Sequence, residues 1–144
     1  MDLSFLKWPV VILVVAGLIW LGSSAGVNFM YNKFTASEPG LDPKVDARSE
    51  AGLSRLGAFL IATFRYGWAQ DVLQETITRY PDGENYWFNL YRIGRCKQKL
   101  GDYKGAVQIY EQLISNNAWE MNSDIPGYAK LRLRADKLIE THQL

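Results

Sequence analysis

From Trp8 to Asn32 the chain runs for 25 residues without a charge, WPVVILVVAGLIWLGSSAGVNFMYN. At about 1.5 Å of rise per residue, roughly 20 apolar residues cross a hydrocarbon core about 30 Å thick, so the run predicts one transmembrane helix with some tilt. Beyond it the pattern becomes polar with a helical period. Residues 34–50, FTASEPGLDPKVDARSE, hold three breakers, Pro39, Gly40 and Pro43, and no sustained period, which predicts a linker. Leu53, Leu56, Leu60 and Phe64 then recur at i, i+3, i+7 and i+11, a stripe that predicts a first helix from about 47 to 66. Gly67 interrupts it. Ala69, Val72, Leu73, Thr76, Ile77 and Tyr80 mark a second helix that stops at Pro81-Asp82-Gly83. Leu90, Ile93, Cys96 and Leu100 line a third, ending at Gly101, and Ala106, Ile109, Tyr110, Leu113 and Ile114 a fourth over about 102–116. A last helix is expected over 124–142, with Pro126 in its first turn and Tyr128, Leu131, Ala135, Leu138 and Ile139 on one face. Connections this short make consecutive helices antiparallel.

The chain is therefore expected to be all-α, with an anchor over residues 1–33, a linker over 34–50 and a helical domain over 51–144. A cleavable signal peptide competes for the first segment, because the run follows Lys7 and the small residues Ser23-Ser24-Ala25 suit a peptidase. The run continues through Val27, Phe29, Met30 and Tyr31, beyond the length of an ordinary signal sequence, and this favours a retained span. Trp8 and Tyr31 sit where aromatic side chains favour the headgroup level. Gly22 and Gly26 frame a small-xxx-small motif that would let another membrane helix approach closely; a smooth lipid-facing surface is the alternative. Basic residues flank the run almost evenly, Lys7 before it and Lys33, Lys44 and Arg48 after it, so charge leaves the orientation open.

Charge and cysteine content narrow the function. With 16 Lys and Arg against 15 Asp and Glu, the chain has no electrostatic footprint for nucleic acid. Cys96 is the one cysteine, so no intrachain disulfide forms, and at a helix position of this kind it reads as a small buried hydrophobe. His142, the one histidine, lies close to the end of the sequence, where termini are usually loose. Neither a metal site nor a nucleophile-base pair can be assembled from these parts. Carboxylates such as Asp71, Glu75 and Glu111 fall on polar helix faces, where solvation is the default. No cofactor and no catalysis are expected.

The segment ENYWFNLYRIGRCKQKLGDYKGAVQIYEQLISNNA, residues 84–118, resembles a tetratricopeptide repeat, a helix pair of about 34 residues. Leu90 stands at the family's tryptophan position, Ile93-Gly94 match its Leu-Gly pair, and Leu100-Gly101-Asp102-Tyr103 match the interhelix turn. Ala106 fills the small position of the second helix and Tyr110 the aromatic four residues on. Lys97, Leu113 and Ala118 depart from the pattern, replacing a core tyrosine, an alanine and a closing proline. Residues 47–83 look like a shortened copy closing at Tyr80-Pro81, and such a combination is similar to repeats of bacterial envelope proteins. A single-span anchor before the repeats resembles the ancillary subunit of the bacterial secretion translocon. The resemblance implies a short helical-hairpin solenoid with a capping last helix, on a bacterial inner-membrane protein whose helical domain is periplasmic.

In the family, the first helix of each pair lines a concave face. The positions so implied are Phe88, Tyr91, Arg95, Gln98 and Lys99, which share one side of the third helix. Rings beside cations suit an acidic segment of a partner; alternatively Phe88 and Tyr91 pack internally and the basic residues are only solvated. Trp68, Trp87 and Trp119 lie near helix junctions, where large rings fill gaps. The reading that results is a non-catalytic interaction module at a membrane. Two uses follow from it: an accessory subunit that braces other membrane protein subunits, or a receptor for peptide segments of transient clients.

Overall fold

The structure, a computed structural model, describes residues 4–144, with side-chain surroundings from Lys7 onward. Among the described residues all regular structure is helical. The chain divides at Ala36 into two compact units.

In the first unit, α1 (Ser4–Gly22) is followed by α2 (Ser24–Thr35), and the pair is bent by 70°. Among the described residues no single helix is long and apolar enough to cross a membrane, whereas Lys7–Gly22 and Ser24–Thr35 pass that test together by length and composition. The continuous span expected from the uncharged run is thus broken at Ser23. Ser23 caps α2, its hydroxyl oxygen accepting from the Gly26 N–H at 3.3 Å, and its O–H donates back to the carbonyl of Trp20. Such a side-chain cap offers the backbone an alternative to the next helical turn. Gly26 makes the corner possible: a methyl group there would meet Leu21 Cα at 2.6 Å. Gly22 therefore ends one helix while Gly26 opens the next, and α1's own backbone occupies the space beside Gly26.

The second unit begins with the connection over residues 37–42, shorter than the linker expected over 34–50. Proline disrupts helix interiors, but its fixed φ and missing N–H suit the first helical position. Pro43 takes that place, with Asp42 as cap accepting from the Lys44 N–H at 2.9 Å, so α3 runs Pro43–Ala62. Leu53, Leu56 and Leu60 are buried as the stripe requires. Phe64 is not on it: it lies beyond the helix, 78 % exposed, in the left-handed conformation at φ 60°. Gly67 falls in the first turn of α4 (Tyr66–Arg79) rather than between helices. Next come α5 (Tyr86–Lys99) and α6 (Tyr103–Ser115).

Corresponding residues of the two hairpins lie 37 apart in sequence, as Leu53 and Leu90 do, so the first is not a shortened copy. Leu53, Leu56, Gly57, Ala69, Val72 and Leu73 correspond to Leu90, Ile93, Gly94, Ala106, Ile109 and Tyr110, and every one of these is buried. The two glycines do the same work. A methyl group on Gly57 would meet Leu73 Cγ at 2.6 Å, and one on Gly94 would meet Ile109 Cγ2 at 3.0 Å and Tyr110 Cε1 at 3.1 Å, so each glycine admits the facing helix. The turns match as well. Arg65 N–H bonds Leu60 O at 2.8 Å, and Asp102 N–H bonds Lys97 O at 2.9 Å, each closing around one left-handed residue, Phe64 in the first hairpin and Gly101 in the second.

Each helix packs chiefly on its neighbours in sequence, α3 on α4, α4 on α5, α5 on α6 and α6 on α7, which is the nearest-neighbour order of a helical solenoid. The last helix, α7 (Tyr128–His142), starts four residues later than expected. A short 3₁₀ turn at Ala118–Glu120 and the extended Gly127 precede it, leaving Pro126 outside the helix. The reason is Ile125, which is drawn into the core with Ala118, Leu131, Ala135 and Leu138. Tyr128 is exposed instead of sharing the buried face. Nor is the basic side of α7 turned wholly outward: Arg132 forms a two-pronged pair with Glu111 on α6, at 2.6 and 3.2 Å. The C-terminal His142 is not loose either, its ring stacking on Tyr103 with centroids 3.5 Å apart.

Two outcomes check this architecture. Replacing Gly26 by Ala should open the corner between α1 and α2, lengthening the distance between spin labels at residues 12 and 33 by up to roughly 6 Å, as the helical rise and the bend angle require; an unchanged distance would mean that Gly26 does not set the corner. Phe64→Gly should raise stability by about 1 kcal/mol, the scale of the left-handed penalty for a side chain with Cβ, detectable as an increased midpoint in chemical unfolding.

Candidate functional site

The side chains of α5 that face α7 form the most distinctive polar surface of the second unit. Its floor is aromatic. Phe88 and Tyr91, three residues apart on α5, stack with centroids 6.2 Å apart and ring planes at 17°. Tyr91 also lies 6.4 Å from Tyr110 of α6. These rings are roofed by cations of the same chain: the Arg92 guanidinium sits 4.1 Å from the centroid of Phe88, and Arg134 of α7 lies 5.7 Å from that of Tyr91 and donates to its hydroxyl. Such placement couples ring and cation electrostatically and holds both in one geometry.

Arg92 also ties the hairpins together. Its Nη1 donates to Ser54 O and Ser54 Oγ at 3.2 Å, while Ser54 Oγ donates to Asn89 Oδ1 at 2.8 Å, a buried node between α3 and α5. Burial holds the Arg92 pKa below its ordinary value, with the charge of Asp124 acting in the opposite direction. Further along α5, Gln98 Oε1 accepts from the Tyr110 hydroxyl at 2.9 Å and from Arg95 Nη1 at 3.4 Å. Burial raises the Tyr110 pKa, with Arg95 opposing it, so the hydroxyl stays a proton donor to Gln98.

At the C-terminal end of α5 the surface opens into a cavity of about 470 Å³ against α7. Gln98, Lys99, Arg134, Lys137 and His142 are among its walls, and no carboxylate is. In the turn that follows α5, Asp102 pairs with Lys97 at 2.9 Å, and this bond, aided by the Gly105 N–H, lowers the Asp102 pKa. Basic side chains and aromatic edges share this cavity wall, a chemistry complementary to carboxylates and other anions.

Of the residues expected on this face, Phe88, Tyr91, Arg95 and Gln98 come together in one network, and Lys99 lies at its open end. The aromatic pair is not bare, because Arg92 and Arg134 cover it. Arg92 was legible as the i+4 neighbour of Phe88 on one helix face. Arg134 was not, since it arrives from α7, 43 positions from Tyr91. Gly22 and Gly26 belong to the other unit and flank its bend. Trp119 meets Tyr128 edge-on at 6.3 Å, and Trp87 meets Tyr86 at 5.2 Å, in line with junction packing. Glu75 and Glu111, expected to be merely solvated, pair with Arg79 and Arg132. Among the described residues no group of three His, Cys, Asp or Glu is placed to hold a metal ion.

Residues 89–118 match the tetratricopeptide repeat, covering most of α5, all of α6 and the turn between them. No curated protein and no solved structure matches the chain. The protein is thus tetratricopeptide-like, and repeats of this kind typically serve protein–protein interaction.

Burial pushes the Cys96 thiol up to about 11, with Arg92 and Arg95 opposing the shift. A pKa higher in the folded than in the unfolded chain means that folding favours the protonated thiol. The stabilisation is complete below pH 9 and is lost as pH rises toward about 11. The expected result is a steeper loss of stability across that window than in Cys96→Ala, together with resistance of the folded thiol to alkylation at pH 8.

Proposed function

We propose that the protein is a non-catalytic interaction module held at a membrane by α1 and α2, and that it acts as an accessory subunit bracing a larger membrane protein complex. The partner presents an acidic segment to the face of α5 and α7. The observation that carries this reading is the cavity walled by Lys99, Arg134, Lys137 and His142 without a carboxylate, continuous with the Phe88 and Tyr91 rings through Arg134. Rings already locked by internal cations lose little freedom on binding, which suits a permanent partner. Supporting the anchor are the uncharged run of residues 8–32 and the length and composition of the bent pair. On this reading the protein sits in the inner membrane with its helical domain in the periplasm, in keeping with the resemblance of its sequence to repeats of bacterial envelope proteins.

The receptor for transient clients would use the same face, so stoichiometry separates the two readings. The tagged full-length protein, extracted from its native membrane in mild detergent, should bring down other membrane subunits at a fixed ratio. Reversing Lys99 and Lys137 to Glu should abolish that recovery, and rising salt should weaken it. A scatter of substoichiometric soluble proteins would favour the receptor, and full recovery with both charges reversed would contradict the assignment of the face.

A further inference from the structure

The turn joining α3 to α4 carries a group of aromatic side chains that the fold does not require. Phe59 in the last turn of α3 and Phe64 beyond it are exposed, and Tyr66 and Trp68 open α4 half-buried. Arg65 joins them into one patch. Its guanidinium lies 5.3 Å from the ring centroid of Phe59 and 5.9 Å from that of Trp68, and its Nε donates to Thr63 Oγ1 at 2.9 Å. Phe64 meets Tyr66 edge-on at 6.2 Å.

The second hairpin supplies the comparison. At the repeat spacing, Phe64 and Trp68 stand where that hairpin has Gly101 and Gly105, and Arg65 stands where it has Asp102. The same turn thus closes without the rings. Phe64 also holds a left-handed φ of 60°, which glycine adopts at no steric cost. A strained side chain left 78 % exposed adds nothing to the core, and backbone outliers of this kind collect at contact sites.

Charge and ring type select what the patch meets. Residues 51–70 include no Asp or Glu, and their charges are Arg55 and Arg65. Arg55 is exposed one turn before Phe59 on α3. Phenylalanine suits the acyl boundary of a bilayer, tyrosine and tryptophan suit the headgroup level, and arginine suits lipid phosphates. The connection over residues 37–42 and the roughly 30 Å of α3 keep the turn within about 50 Å of the end of α2. With α1 and α2 as the anchor, this tether holds the turn at high effective concentration over the same bilayer.

We infer that the turn between α3 and α4 is a second lipid contact. Phe64 enters the acyl boundary of a phospholipid surface, with Tyr66 and Trp68 at headgroup level and Arg55 and Arg65 against the phosphates. The inference rests on the reading of α1 and α2 as an anchor and is independent of the α5 and α7 face. The test places a nitroxide on Gly67→Cys, where a side chain meets open space between Tyr66 and Trp68, and on Lys104→Cys, the exposed counterpart in the second hairpin. Cys96 is buried and stays unlabelled. The full-length chain is reconstituted into vesicles of phosphatidylcholine and phosphatidylglycerol. Collision with oxygen, which concentrates in lipid, is compared with collision with a water-soluble nickel chelate.

Position 67 should show an oxygen excess over position 104. Phe64→Gly should abolish that excess while the chain stays folded and still floats with the vesicles. Exchanging the phosphatidylglycerol for phosphatidylcholine should weaken it, and an excess that did not respond would overturn the role of the arginines. Equal collision at the two positions, or an excess that persists in Phe64→Gly, would overturn the contact. Loss of nickel collision at position 67 without a gain in oxygen is the signature of burial against protein, and would overturn it in favour of contact between copies of the chain. A chain that does not float would overturn the anchor and this inference together, whereas a chain that floats with position 67 in water overturns this inference alone.

Discussion

At Gly57 and Gly94 the two hairpins bring helix against helix with no room for a methyl group, and the packing within each hairpin of the second unit depends on that proximity. Close approach lets Leu73 pack on α3 and lets Ile109 and Tyr110 pack on α5. Tyr110 is fully buried because Gly94 makes space for its ring, and its hydroxyl then fixes Gln98 on the outer side of α5. The face that would meet a partner is therefore built on the core contact beneath it. A side chain at either glycine would act twice, through lost packing and through a displaced surface network.

Much of this was legible because the repeat imposes strong periodicity. The stripes of Leu53, Leu56 and Leu60 and of Leu90, Ile93 and Cys96 and the small residue Ala106 sit where the pattern puts them, whereas Leu100, expected to complete the second stripe, lies just past the end of α5 and is exposed. Misreadings came where one residue type has two uses. Pro43 reads as a breaker in a loop but serves as the first residue of a helix. Phe64 extends an apolar stripe on paper, yet it occupies the left-handed position that the second hairpin gives to Gly101. Pro126 reads as a helix start, but burial of Ile125 delays α7 to Tyr128. The uncharged run hid a break because hydropathy reports composition and not the Ser23 cap that redirects the backbone.

The candidate face was legible in its α5 half alone. Spacing on one helix places Phe88, Tyr91, Arg95 and Gln98 together, and no periodicity can announce that α7 adds Arg134 above Tyr91. Surface charge was equally hidden in the whole-chain balance of +1. Folding sorts that near-neutral composition into a cationic cavity at the end of α5 and an acidic one at the start of α3. Segregated charge of this kind favours oriented association, since each surface repels what the other attracts.

The measurement that bears most directly on the account is photo-crosslinking in the native membrane from a reactive side chain placed at Lys99, compared with one at the exposed Gln112 of α6. The account predicts a single discrete adduct from position 99, mapping to an acidic segment of a membrane protein, and none from position 112. Identical adduct patterns from the two positions, or adducts to lipid alone from position 99, would contradict it.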